Sequence, residues 1–167
     1  MSQQIEFSTG DLVVYPAHGV GRIDGIETLT IADQTVKLYA ISFEQDRMRL
    51  KVPVERANES GLRRLSSKER MKAAMETLQG RARIRRTMWS RRAQEYEAKI
   101  NSGDPVSIAE VLRDLKRNTE QGEQSYSERQ IYQAALERLA RELAAVEHID
   151  EAKAADRLEE VMIKAAA

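Results

Sequence analysis

The chain has 167 residues, of which 41% are hydrophobic, 32% charged and 5% aromatic, with a formal net charge of zero. That length accommodates one compact domain or two small ones, and so few aromatic residues leave little material for a roomy cofactor pocket. There is no cysteine, which excludes disulfides, thiolate zinc sites and cysteine nucleophiles.

The neutral total conceals a polarised chain. Residues 1–57 carry 6 basic and 8 acidic side chains, residues 58–117 carry 15 and 8, and residues 118–167 carry 6 and 11. A basic middle third between acidic flanks is the expected mark of a polyanion-binding segment. The opening MSQQIEFSTGD lacks the basic stretch followed by an apolar run that a secretory signal needs. No apolar stretch approaches the roughly 20 residues of a membrane-spanning helix. The expectation is a cytoplasmic protein with no membrane contact.

The first 57 residues read as β structure. Leu12 to Tyr15 forms a strand-like run that stops at Pro16, and Gly19 and Gly21 mark a turn before Arg22 and Ile23. Thr28–Ile31 and Val36–Phe43 follow as strands, joined by a turn at Ala32-Asp33-Gln34, and Met48–Val52 alternates charged and apolar residues up to Pro53. Period-two alternation buries one face and wets the other. Short strands at this density predict a small SH3/Tudor-like β-barrel.

From Ser66 the period becomes helical. Ser66-x-x-Glu69 has the form of a capping box, opening a helix with Met71, Ala74, Met75 and Leu78 on one face and Gly80 at its end. A second helix is predicted from near Thr87, as N-cap, to Ser102 with Gly103 beyond it. A third starts at Asp104-Pro105 and buries Ile108, Val111, Leu112 and Leu115, with Gly122 closing that element or its loop. A fourth runs from Glu128 to Glu147 over Ile131, Ala135, Leu139, Leu143 and Val146. The last, capped by Asp150, turns Ala154, Leu158, Val161 and Met162 inward. The fold class is therefore α+β, a small barrel over residues 1–62 followed by a five-helix bundle over 63–167.

Enzyme chemistry finds no footing. His18 and His148 fall in different predicted domains without ligand-spaced carboxylates, and His18 lies in a turn where a solvent or hydrogen-bonding role is expected. Gly19-Val20-Gly21 with Gly25 resembles a dinucleotide fingerprint, but a strand follows it, not a helix opening onto phosphate. No cofactor, metal or small-molecule substrate is expected.

The segment from Gly80 to Arg92 holds six arginines, no acidic residue and the only tryptophan. Guanidinium groups this close repel one another in isolation, whereas each phosphate they neutralise releases counterions. Trp89 offers either another core residue for the bundle or a flat surface to stack on a base or enter a base step. The bundle has enough aliphatic residues to close without it, and the flanking arginines resist burial.

The quoted residues also resemble the CarD/CdnL family of transcription factors, nearly end to end. Gly10-Asp11-Leu12-Val13-Val14-Tyr15-Pro16-Ala17-His18-Gly19-Val20-Gly21 is similar to the family's opening. Ile26-Glu27-Thr28 and Arg49-Leu50-Lys51-Val52-Pro53 sit where its strands do. Trp89-Ser90-Arg91-Arg92 resembles its tryptophan motif, Ala109 to Leu115 its AEVxRDL helix, and Ser127-Glu128-Arg129 a later helix start. The resemblance implies that the N-terminal domain pairs with the RNA polymerase β subunit through exposed strands around Leu29, Ile41, Lys51 and Pro53. Leu29 stands where some relatives have a basic residue, so no salt bridge is expected there. It further implies that the helical domain meets promoter DNA at the upstream edge of the −10 element, with Trp89 as a minor-groove wedge and Arg91 and Arg92 on phosphates. Arg81, Arg83, Arg85 and Arg86 are added as phosphate contacts on charge alone. The alternatives are a protein-interaction adaptor without DNA contact and a small RNA-binding protein.

Overall fold

Among the described residues the first unit has five strands, β1 (Leu12–Tyr15), β2 (Gly19–Ile31), β3 (Gln34–Phe43), β4 (Met48–Pro53) and β5 (Arg63–Arg64), with a 3-10 turn at Val54–Arg56. The structure, a computed structural model, describes residues 6–83, 87–116 and 125–166. Residues Met1–Leu65 and Ser66–Ala167 form two units, each with its own core.

The strands form one antiparallel sheet in the order β4-β3-β2-β1-β5. Its edges, β4 and β5, are not paired with each other, so the sheet is open and the expected closed barrel does not form. The physical reason is β5, which spans two residues and pairs only with Val13 and Val14, too short a strip to carry the edge round to β4.

β2 is longer than the sequence pattern indicated. Gly19 and Gly21 lie inside it, paired with Tyr15 and Val13, and the chain reverses earlier, at Pro16–His18. Gly21 is required by packing: a methyl group there would lie 2.7 Å from Phe43 Cε1 and 2.8 Å from Ile41 Cγ2. A shift of register between Ile23 and Gly25 marks a bulge. Beyond it β2 and β3 continue as a hairpin closed at Ala32-Asp33, both with positive φ (49° and 64°), as a tight two-residue turn between right-twisted strands demands. His18, in the turn after β1, stacks on Tyr15 and tilts against Phe43, with ring centroids 5.6 Å apart in each case.

Among the described residues the second unit has five α-helices: α1 (Lys68–Leu78), α2 (Trp89–Asn101), α3 (Pro105–Leu115), α4 (Tyr126–Glu147) and α5 (Glu151–Ala166). Their apolar stripes meet in one core that includes Met71, Ala74, Leu78, Ile108, Val111, Leu112, Leu115, Ala135, Leu139, Leu143, Ala154, Leu158 and Met162. Val146 and Val161 are only partly buried at its margin. Gly122 lies outside the described residues.

Two predicted caps move. The α1 cap is Ser67, whose side chain accepts the Arg70 amide; the Ser66 amide, which a capping box would direct to Glu69, goes to Glu142 Oε2 at 2.8 Å. At α2 the N-cap is Met88, with no capping side chain, so Thr87 does not serve.

Asp104 caps α3 as the sequence indicates: its Oδ2 accepts the Ser107 amide at 3.2 Å and the Ser107 hydroxyl at 3.0 Å. Its Oδ1 receives the Arg70 guanidinium of α1 at 2.6 Å. Partial burial works to raise this carboxyl's pKa, but the hydrogen bonds from Arg70 and Ser107 and the Arg70 charge outweigh it and hold the group below its usual value. A depressed folded-state pKa contributes stability above the unfolded value and loses it as pH falls through the folded one. Asp104→Ala should therefore cost about 1 kcal/mol near neutrality and lower the melting temperature by about 4–8 °C. Its deficit against the unsubstituted protein should shrink below about pH 4. Thermal melts across that range check it, and a pH-independent deficit would remove the carboxylate from the explanation.

Candidate functional site

The tryptophan sits where α2 begins. Trp89, Ala93, Tyr96 and Ile100 follow helical spacing and turn one stripe toward the bundle; Tyr96 and Ile100 are buried, while Trp89 and Ala93 pack partly against the core. Trp89 is thus neither a core residue nor a free surface residue. One part of the indole is seated, and another forms a wall of an open cleft of about 430 Å³ between α2 and α4, shared with Glu97, Ser127, Gln130 and Ala134. Met88, next to it, is 77% exposed, an apolar side chain at a cap position that sequence reasoning passed over.

The arginines divide. Arg91 is exposed. Arg92 is half-buried: its guanidinium lies 5.4 Å from the Trp89 ring centre and 5.8 Å from that of Tyr96, and its Nη2 reaches the Tyr96 hydroxyl at 3.3 Å. The expected phosphate contact of Arg92 is therefore not a freely projecting group but one already stacked against two rings. Arg81 and Arg83 are exposed, while Arg85 and Arg86 lie outside the described residues.

α2 also starts differently from its neighbours. α1, α3 and α4 are capped by the side chains of Ser67, Asp104 and Ser125, and Asp150 accepts the Lys153 amide at the start of α5. α2 has neither a capping side chain nor an acidic residue in its first turn. Among the described residues the positive end of its dipole therefore faces no capping carboxylate or hydroxyl of the N-cap.

In the N-terminal unit the register sorts the other predicted residues. Cross-strand partners share a face, so Glu27, Leu38 and Pro53 form one row and Leu29 and Val36 the next, with Lys51 beside Ala40. This outer face carries Leu29 at 47% exposure and Ile31 at 59%, with the Lys51–Glu27 ion pair at 2.8 Å across its base. Ile41 does not belong to it. It is fully buried between Ile23 and Leu50, because residues 39, 41 and 43 of β3 point to the core while 38 and 40 point away. Leu29, Lys51 and Pro53 share one face of the sheet, and Ile41 lies on the other. Ile31, which shares parity with Leu29, was legible from alternation alone.

Among the described residues no cluster of His, Asp or Glu could hold a metal, and no helix is long and apolar enough to cross a membrane. Residues 7–66 match the family model of the CarD-like/TRCF RID domain and residues 73–159 that of the CarD C-terminal domain. The "Putative transcription factor YdeB" of Bacillus subtilis (strain 168) is 30% identical over 145 residues, covering 87% of this chain and 95% of that protein. The solved structure of CdnLNt from Myxococcus xanthus is 35% identical, covers 41% of this chain and 96% of its own, and superposes with a TM-score of 0.33.

Proposed function

Since the chain belongs to the CarD/CdnL family of transcription regulators, we propose that it docks on the RNA polymerase β subunit and steadies opened promoter DNA. The N-terminal match is to a RID domain, a type of domain that contacts polymerase, and the exposed face around Leu29, Ile31, Lys51 and Pro53 is the natural contact. Beyond the bulge the β2–β3 hairpin offers backbone edges to an added strand.

The DNA surface is the start of α2. The observation that carries this reading is the half-seated indole of Trp89 at an uncapped helix end beside an exposed arginine. Seating one part of the ring against the bundle makes it a rigid wedge, and the exposed part enters a base step at the upstream edge of the −10 element. Arg91 takes a phosphate, Arg92 braces the indole through its stack, and Arg85 and Arg86 add phosphate contacts. Such contacts grip the backbone and read little sequence.

Binding to a duplex promoter fragment, followed by fluorescence anisotropy, tests the reading. Arg91→Ala should weaken binding alike on different sequences and reduce the slope of log affinity against log salt by about 0.9. A wild-type affinity that ignores salt would instead favour an adaptor that meets only protein.

A further inference from the structure

Charge is buried in proteins only where it is satisfied, and the helical unit buries the carboxylate of Asp114, whose side chain is 4% exposed. Among the described residues both of its hydrogen bonds lead to one place. Oδ1 accepts the Arg83 backbone amide at 2.8 Å, across 31 residues of sequence, and Arg113 Nε at 3.0 Å. The Arg113 side chain in turn lies over Gly80, where an added methyl would stand 3.6 Å from Cδ. The amide of Gly80 itself donates to the Thr77 carbonyl at the end of α1, and the last turn of α3 holds the arginine segment at Arg83.

Around this anchor is a cleft of about 380 Å³ lined by Arg83, Arg92, Glu95, Lys99, Glu110 and Arg113, among others. Lys99 is paired with Glu110 at 2.9 Å, Arg113 with Asp114, and Arg92 is stacked on its two rings. The exposed guanidinium groups at this end of the segment are those of Arg81 and Arg83. Residues 80–83 have no helix or strand of their own, so beyond Gly80, whose amide is bonded to Thr77, the contact that places them is that carboxylate on the Arg83 amide.

The geometry points to Asp114 as a positioning residue for DNA contact: by holding the Arg83 amide it presents Arg81 and Arg83 to phosphates in an already ordered stretch. The inference rests on the DNA-binding reading above. Ordering the stretch in advance removes a cost that binding would otherwise carry.

The sign of the effect separates positioning from charge. Removing a carboxylate by itself strengthens attraction to DNA, whereas losing the anchor weakens it. Asp114→Ala and Asp114→Asn remove the same charge, but asparagine keeps an oxygen where Oδ1 accepts both bonds. With the full chain and a short duplex promoter fragment, titrated between about 50 and 200 mM salt, Asp114→Ala should bind about three- to tenfold more weakly. Its salt slope should be flatter by about one to two, and Asp114→Asn should recover to within about twofold of the unsubstituted protein. Should Asp114→Ala fail to fold, Asp114→Leu, which fills the space without an acceptor, is held to the same criteria. Equal affinities and slopes for the alanine and asparagine variants overturn the inference while leaving the DNA reading intact. An unsubstituted protein that does not bind the fragment overturns both.

Discussion

Trp89→Ala should shorten the lifetime of an open promoter complex by about tenfold relative to the unsubstituted protein, while polymerase affinity stays within about twofold. Unstacking a base step costs a few kcal/mol, and a wedge that fits the opened step better than closed duplex returns part of it. Each 1.4 kcal/mol or so of preference shifts the open–closed equilibrium about tenfold. The indole can act this way because Ala93, Tyr96 and Arg92 hold part of it against the bundle, so little side-chain freedom is lost on entry. The same packing means that truncation will also lower the stability of the helical unit, so lifetimes should be compared well below both melting temperatures. Trp89→Phe, which keeps a smaller flat ring, should fall between. An unchanged lifetime with Trp89→Ala would leave the ring a packing residue and assign the effect to the arginines or to polymerase contact alone.

What could be read from the sequence was whatever depends on near neighbours. The alternation of Met48–Val52 and the helical stripes of α1, α3, α4 and α5 appear as buried faces, since period alone determines them. What could not be read depends on partners far along the chain. Ser66 reads as the α1 cap from its spacing to Glu69, but its amide goes to Glu142, 76 residues away, and Ser67 caps the helix. Ile41 alternates with its neighbours in β3, but only the pairing of Ala40 with Lys51 and Leu38 with Pro53 shows that it faces away from them.

The site was legible to the same extent. Six arginines around one tryptophan marked the segment by composition, but not the division of labour within it. That Arg92 is occupied by two rings follows from the spacing of Trp89, Arg92 and Tyr96 on one helix. Asp114 gave no local signal, because its partner is a backbone amide that any residue at position 83 would supply. A family-like motif named the helix, and the reason for the carboxylate lies in the loop it holds.

On the polymerase side, Leu29→Glu should reduce affinity for the isolated β-subunit contact region by about 30-fold or more, the range of a central hot-spot residue. Leu29 is half-exposed and paired with Val36, so the change touches no core contact and should alter the melting temperature little. Placing a carboxylate on an apolar face that must lose its water leaves that charge unpaired in the complex. Ile31→Glu, two residues further on the same face, should act in the same direction. The loss should persist at high salt, in contrast to the phosphate contacts proposed for the helical unit, because dehydrated apolar surface is not screened. Ile41→Ala should behave differently: it opens a cavity among Ile23, Phe43 and Leu50, destabilises the sheet by about 2–5 kcal/mol, and lowers polymerase binding only as the sheet unfolds. Full affinity in a folded Leu29→Glu variant would move the docking surface off this face and leave the hairpin's backbone edges as the contact.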